Sequence, residues 1–547
     1  MLFESTRCIV CVAGSSVFAL GELVSYFSGW QIAIMLLLVL ATVAIMLLVF
    51  AVQLYGTKAQ RRRGEDTFAL PHEEEETSID KAVAPLEAGH RDQTGLHLLS
   101  SNVAAFSARW QTLQLAGRSL DLQYYYWKGD LTGRLLCLAL IEAADRGVRV
   151  RLLLDDMNAF GFDRTYLALD SHPNIHVRLF NPSRSRLDAF RRGIELVVKY
   201  FTATRRMHNK CWIADGRIAI AGGRNIGDAY FDASEAANFQ DIDVLAIGKA
   251  VRDAEKIFDS YWNSEAALPI RQLHRIRQPK LRNLRVRLRS YCRTSRATQF
   301  LSMAGCHPGQ ECSVQALAKL SWSAAVEMIA DPPEKASGKA RAQWLGERIN
   351  QLIRSANKSL CVISPYFIPG EAGAKTMAGL ASKGVDVRVL TNSLAATDVI
   401  AVHGAYARYR KWLVQNAVKL FELKPEPGRH RASLFGSKTA SLHTKALLVD
   451  DELGFIGSFN LDPRSLSINT EMGILFHCPN LGRRLRKIFE AQTSPEISYR
   501  VKDAGGALQW VDEHLGQQRS HRSEPDAPLR RIVPAMVIAW LPIESQL

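Results

Sequence analysis

The amino-acid sequence predicts an α/β protein of two tandem lobes behind N-terminal membrane helices. Each lobe is a mixed sheet flanked by helices, and a pseudo-twofold relates the pair. Three observations carry that expectation. A strand–helix–strand pattern occurs twice, a His-x-Lys motif with a fixed sequel occurs twice, and one uncharged apolar run has the length of a bilayer crossing. At 547 residues the chain exceeds what a single core supports. Hydrophobic residues at 47% and charged residues at 22% exclude a disordered or fibrous class. A net charge of +15 implies an anionic partner, either nucleic acid or an acidic membrane surface. Cysteines number nine, an odd count, and only Cys8 and Cys11 have a CxxC spacing. With no second pair, neither a disulfide framework nor a zinc site is expected, and a reducing compartment fits.

Residues 1–57 read as a membrane-spanning segment of one or two helices. Ile32 to Val52 is 21 positions without a charge, interrupted only by Thr42. At 1.5 Å per residue such a run crosses the ~30 Å hydrocarbon layer. Cys8 to Phe27 is a weaker apolar run, broken by Ser15, Ser16 and Glu22, with a turn signal at Ser28-Gly29. A cleaved signal peptide would need a shorter apolar core and a small-residue cleavage site after it. Lys58, Arg61, Arg62 and Arg63 follow directly, and such clusters stay cytoplasmic, so the remainder of the chain is expected on that side. Residues 58–102, with Glu73 to Glu76, lack apolar periodicity and read as a tether.

A first lobe is expected over 103–266 and a second over 342–515. Ser119 to Asp156 reads strand, helix, strand, and Ser359 to Ser393 repeats that order 240 residues later. Charged-and-glycine stops, Asp145-Arg146-Gly147 and Ser382-Lys383-Gly384, precede the second strand in each copy, as in a parallel crossover unit. Between the lobes, 267–341 reads as a basic divergent connector whose arginines form a solvated face or a contact with anionic headgroups. RNA would ask for more interleaved aromatics than Tyr291 and Phe300. The tail, 516–547, carries an apolar stretch from Ile532 to Ile543.

The chemistry-bearing motif occurs once per lobe. His208-Asn209-Lys210, Asp215 and Gly222-Gly223-Arg224-Asn225 match His443-Thr444-Lys445, Asp450 and Gly457-Ser458-Phe459-Asn460 at equal intervals. One such match arises by accident at roughly a few per cent in a chain this long; two in corresponding places of a repeat do not. Strand alternation puts each His and Lys on one face. Two such sets facing each other supply two imidazoles, two ammoniums and two amides, a site for a phosphodiester in which cations neutralise the non-bridging oxygens. One imidazole can attack phosphorus while the other protonates the departing oxygen. A carboxylate on the far ring nitrogen would fix the tautomer, and Asp243 and Glu471 stand in strand-like runs after each Asn. Asp215 and Asp450 are expected to cap turns or make structural ion pairs. No metal is expected, since the lysines would repel a cation.

These residues resemble the phospholipase D superfamily, whose signature is the doubled His-x-Lys-x4-Asp. The wider text, including HNKCWIADGRIAIAGGRNIGDAYFD, SPYFIPG and LHTKALLVDDELGFIGSFNLDPRSLSINTEMG, is similar to bacterial cardiolipin synthases of the C-type branch from about Val103 to the C-terminus. The resemblance implies two phospholipase D-like lobes and a ping-pong transfer to phosphatidylglycerol without a cofactor. His208 would form a phosphatidyl-histidine; His443 would protonate the leaving alcohol and then deprotonate the incoming one. Lys210, Lys445, Asn225, Asn460 and the Ser458 hydroxyl would hold phosphate oxygens, and Asp243 and Glu471 would orient the imidazoles. Implied partners are phosphatidylglycerol, phosphatidylethanolamine as alternative donor, and the membrane, with no nucleic acid. The implied location is a bacterial inner membrane, lobes on the cytoplasmic side. Gly223 stands where the superfamily usually has serine. Competing readings are a phospholipase D or phosphodiesterase that hydrolyses its substrate, and an inactive scaffold, which two intact motifs disfavour.

Overall fold

The computed structural model describes residues 29–59, 64–71, 76–159, 161–182, 205–235, 237–273, 279–306, 314–339, 344–425, 440–514, 516–541 and 544. Gly29–Ala59 is one helix of 31 residues, here α1, and it stands as a unit separate from the body. Its described side chains, among them Leu36, Leu37, Leu40, Leu47 and Phe50, are exposed. With the side chains of Ile32, Leu48, Val49 and 51–59 set aside, no described helix is long and apolar enough to cross a membrane. The run Cys8 to Phe27 and the cluster Arg61 to Arg63 lie outside the described residues.

Two sheets build the body. Among the described residues the first runs, in spatial order, Ser321–Ser323, Thr94–Leu99, Asp243–Gly248, Ile218–Gly222, Cys211–Ala214, Ser119–Tyr124, Arg149–Asp155, Ile175–Phe180 and Ala267–Pro269. The second runs Val326–Ala330, Met472–His477, Leu453–Gly457, Ala446–Val449, Ser359–Ile363, Asp386–Asn392 and Lys419–Leu423, then a meander of Ser498–Ala504, Ala507–His514 and Gln517–His521. From Thr94–Leu99 and from Val326–Ala330 onward, seven strands correspond one to one. In both, three parallel strands adjoin an antiparallel hairpin. The crossover helices Leu131–Asp145 and Gly370–Ser382 end at Gly147 and Gly384, whose φ values of +100° and +89° are open to glycine at no steric cost.

Strands such as CWIA, IAIAG and ALLV are apolar on both faces because both faces are covered. Cys211, Ile213 and Val244 of the first sheet share one core with Ile363, Leu448, Ile456 and Ile474 of the second, so the sheets pack face to face. Helices close the outer faces, through Phe106, Leu135 and Ile141 on one side and Ile349, Met377 and Leu413 on the other.

The tether and the connector are corrected by this architecture. The described residues of this stretch, 64–71 and 76–102, belong to the first lobe: Ser78–Ala88 is a helix with a capping box between Thr77 and Asp80, Ile79 and Val83 enter the core, and Thr94–Leu99 pairs with Asp243–Gly248. Asp80 is ion-paired to Arg118 and Arg217. Helix Leu281–Cys292 of the connector turns Leu284 and Leu288 into the same core and leaves Arg282, Arg287 and Arg289 exposed. After the helices Leu281–Cys292 and Ser295–Met303, strands Ser321–Ser323 and Val326–Ala330 extend one edge of each sheet. Spacing concealed this because each helix contributes only two buried apolar side chains.

Candidate active site

The two His-x-Lys segments lie at the entrances of Cys211–Ala214 and Ala446–Val449, one position ahead of regular strand. Each is tied to the opposite lobe. His208 donates its backbone N–H to the Thr470 carbonyl (2.9 Å), and His443 donates to that of Gln240 (2.8 Å). Met207 bridges Thr470, and Ala440–Leu442 pairs in parallel with Asn238–Gln240. This exchange places one carboxylate from each lobe against the imidazole of the other. His208 Nδ1 is 2.8 Å from Glu471 Oε2, and His443 Nδ1 is 2.6 Å from Asp241 Oδ2.

Both Nε2 atoms are thereby left for chemistry. Lys210 Nζ donates to the His208 carbonyl at 2.6 Å, and Lys445 Nζ donates to the His443 carbonyl and lies 3.1 Å from His443 Nδ1. His208 lies in the field of both lysines, and His443 feels both lysines and His208, so the four groups share one cleft. Burial pushes His208 down to about 4 and His443 well below the usual imidazole range, so both rings rest neutral at pH 7. Burial also lowers both ammoniums, Lys210 well below its usual value and Lys445 to about 8.

The two carboxylates are unequal. Burial works to raise Glu471, but His208, Lys210 and the Ser458 hydroxyl outweigh it and hold the group below its usual value. Burial raises Asp241 despite Lys445 and Arg224. Glu471 also accepts from Ser465 Oγ at 3.0 Å, and its backbone N–H is held by Asp331 at 2.9 Å. Hence Ser458 orients a carboxylate, where a phosphate-binding hydroxyl was expected. In the first lobe the matching place must be glycine, because a Cβ on Gly223 would stand 2.4 Å from Asp241 Oδ1. A shorter carboxylate without a supporting serine, and a longer one with it, reach equivalent positions.

Asp243 is corrected. It lies beneath the site in a buried ion pair with Arg109 (2.8 Å) and Arg224 (3.4 Å), two residues past the carboxylate that reaches the ring. Sequence reasoning missed Asp241, though a signal was present: laying Asp241-Ile242-Asp243-Val244-Leu245 on Glu471-Met472-Gly473-Ile474-Leu475 matches the apolar positions and pairs Asp241 with Glu471. Asp215 accepts three successive N–H groups, Gly117, Arg118 and Ser119, and Asp450 accepts those of Asn357, Lys358 and Ser359. Each therefore ties down the start of the adjoining parallel strand. Asn225 binds Tyr126 N and Tyr230 Oη, while Asn460 Oδ1 is buried without a partner among the described residues. Tyr230 Oη is 3.5 Å from His443 Nε2, and Tyr125 stands edge-on to His208 at 5.2 Å.

The two aspartates separate by experiment. Asp241→Asn is expected to lower turnover by roughly 10²–10⁴-fold at near-normal stability, since it releases only the His443 tautomer. Asp243→Asn instead strands two buried guanidiniums and should cost about 3–5 kcal/mol in urea unfolding, with turnover per folded molecule kept. The reverse pattern would return Asp243 to the imidazole.

Two α/β lobes that deliver paired His-x-Lys segments to one cleft define a phospholipase D-like fold. Phosphatidylserine synthase of Haemophilus influenzae shares the fold at a TM-score of 0.54 and 15% identity, over 85% of this chain and all of that one. The family model described as "Cardiolipin synthase, PLD-like domain" matches residues 110–262 and 349–493, and the chain belongs to that family. It is 39% identical to cardiolipin synthase C of Escherichia coli over 473 residues, 85% of this chain and 99% of that protein. With cardiolipin synthase 1 of Bacillus anthracis the identity is 26%, over 77% of this chain and 70% of the other.

Proposed function

We propose that the protein is a cardiolipin synthase that transfers a phosphatidyl group from a phospholipid donor to phosphatidylglycerol through a phosphatidyl-histidine. The observation that carries this reading is the pair of neutral, nearly buried imidazoles, each backed across the lobe boundary by a carboxylate and flanked by a lysine. His208 Nε2 attacks the donor phosphorus. The bond from phosphorus to the headgroup alcohol breaks, and His443 gives that oxygen a proton. The charge of the bound phosphodiester offsets the two lysines and lets His443 hold the proton that it lacks in the empty site. His208 is the nucleophile in this scheme because Glu471, the carboxylate held ionised, stabilises the imidazolium formed on attack. In the second half His443 takes a proton from the phosphatidylglycerol hydroxyl, that oxygen attacks phosphorus, and the P–N bond breaks. With phosphatidylglycerol as donor, two molecules give one cardiolipin and one glycerol.

Lys210, Lys445, Asn225 and Asn460 hold the non-bridging oxygens. Transfer must outrun water at roughly 55 M, and the burial of these groups supports a dry site. The uncharged run Ile32 to Val52 would anchor the enzyme: its 21 residues are enough, at 1.5 Å each, for a ~30 Å hydrocarbon layer, and the described apolar side chains of α1 are exposed. The basic cluster after it supports a location of the lobes on the cytoplasmic side of a bacterial inner membrane, in the leaflet with both substrates.

Purified full-length protein in vesicles of phosphatidylglycerol, with and without phosphatidylethanolamine, is expected to release cardiolipin and the donor's alcohol. Steady phosphatidic acid with no cardiolipin in either vesicle would instead make it a hydrolase.

A further inference from the structure

The C-terminal helix presents an apolar face that the protein leaves uncovered. Leu529–Trp540, here α2, lies along helix Ile400–Gln415, here α3. Contact is close at Gly404, where a Cβ would stand 2.6 Å from the Ala535 carbonyl and 3.1 Å from Ile538. Ala535 is buried at this seam and Ile538 half-buried. On the remaining surface Leu529 is 75% exposed, Val533 56%, Met536 61%, Val537 55% and Trp540 88%. Positions 529, 533, 536, 537 and 540 recur at helical spacing, so they form one stripe. A contiguous patch of large apolar side chains on an ordered helix marks an interaction site rather than ordinary surface.

Its placement ties this stripe to the active site. Arg531, in the first turn of α2, donates to the carbonyls of Leu394 (2.9 Å) and Thr397 (2.7 Å). The loop so held carries Asp398, whose charge acts on both His443 and Lys445 and whose carboxylate accepts from Tyr366 Oη at 2.9 Å. At its far end, Glu544 accepts from Tyr409 Oη at 2.6 Å, fixing α2 to α3 beyond Trp540. Arg530 on α2 and Lys411 on α3 are exposed cations. An amphipathic helix with a Trp, a basic flank and a lip of the catalytic cleft at its base matches the headgroup layer of an anionic bilayer.

We infer that α2 lies in the headgroup layer of an anionic phospholipid bilayer and seats the active-site lip against it, so that lipid substrates enter without crossing water. This rests on the proposed function for its substrates and deepens it. The anchor α1 keeps the enzyme at the membrane; α2 sets the attitude of the catalytic cleft.

The test uses the full-length enzyme with Val537→Asp and Trp540→Asp together. Turnover of long-chain phosphatidylglycerol in vesicles is expected to fall about 10-fold or more, while turnover of a short-chain phosphatidylglycerol below its critical micelle concentration stays within about 2-fold. A phospholipid with a diazirine on its acyl chain, in phosphatidylglycerol nanodiscs, should label the Val533 to Trp540 peptide in the wild type and not in the variant. Equal losses on both lipids, no loss on either, or absence of labelling would overturn the inference. So would a wild-type dimer that the variant dissolves while vesicle turnover persists, which would assign the stripe to a second copy. If the wild type transfers neither lipid, the proposed function fails, and labelling alone then decides whether α2 docks.

Discussion

His208→Ala is expected to leave a folded protein with no covalent phospho-enzyme and turnover reduced by about 10⁴-fold or more. The side chain removed is the one whose Nε2 has no hydrogen bond among the described residues, whose Nδ1 is held 2.8 Å from an ionised carboxylate and whose ring rests neutral. His443→Ala should turn over as poorly, yet accumulate some labelled intermediate when quenched with SDS at neutral to mildly alkaline pH, where a P–N bond survives, after exposure to radiolabelled phosphatidylglycerol. Its missing proton slows departure of the alcohol without removing the attacking nitrogen. Label in His208→Ala, and none in His443→Ala, would reverse the assignment. Each substitution empties a position lined by buried neighbours, so thermal unfolding should accompany the assay to show that folded protein is compared.

The second large effect belongs to Glu471. Glu471→Gln keeps the volume and can keep the contacts to Ser458 and Ser465, so stability should change little. What it removes is charge opposite the imidazolium that forms on attack. An amide that turns its NH2 toward Nδ1 also imposes the wrong tautomer. Together these should cost roughly 10³–10⁴-fold in turnover, with little change in KM, because substrate binding in the ground state does not draw on that charge. The larger loss is expected on formation of the intermediate, so single-turnover quenched-flow measurement should find slow phosphorylation of the enzyme. A variant with normal phosphorylation and slow release would place Glu471 behind the second step instead.

Much of this site was legible from the repeat. Equal intervals from His208 to Asn225 and from His443 to Asn460 marked two hairpins, and the 240-residue offset marked two sheets of one topology. What spacing could not convey was the exchange across the lobes. A rule that looks for a carboxylate after each Asn within the same lobe returns Glu471, which contacts the His208 ring, and Asp243, which pairs with Arg109, because nothing along the chain says that the ring comes from elsewhere. Laying one repeat over the other does find Asp241, as the apolar positions around it force the register. Ser458 was misplaced for a related reason, since a hydroxyl beside a motif reads the same whether it faces substrate or a carboxylate. The tether failed on scale. Helix Ser78–Ala88 has a capping box at Thr77 and Asp80, but its two buried apolar side chains, Ile79 and Val83, leave no amphipathic period to find.

The reciprocal delivery of carboxylates has a consequence for how this protein can vary. Neither half owns a complete proton-handling unit; each holds a ring whose orientation is dictated by its sibling. A change that shifts the Thr470–Glu471 turn misaligns a histidine more than 260 residues earlier in the chain, and the converse holds for Gln240–Asp241. The duplication is therefore locked: the halves can diverge at their rims, but an isolated half could regain function only by borrowing from another molecule.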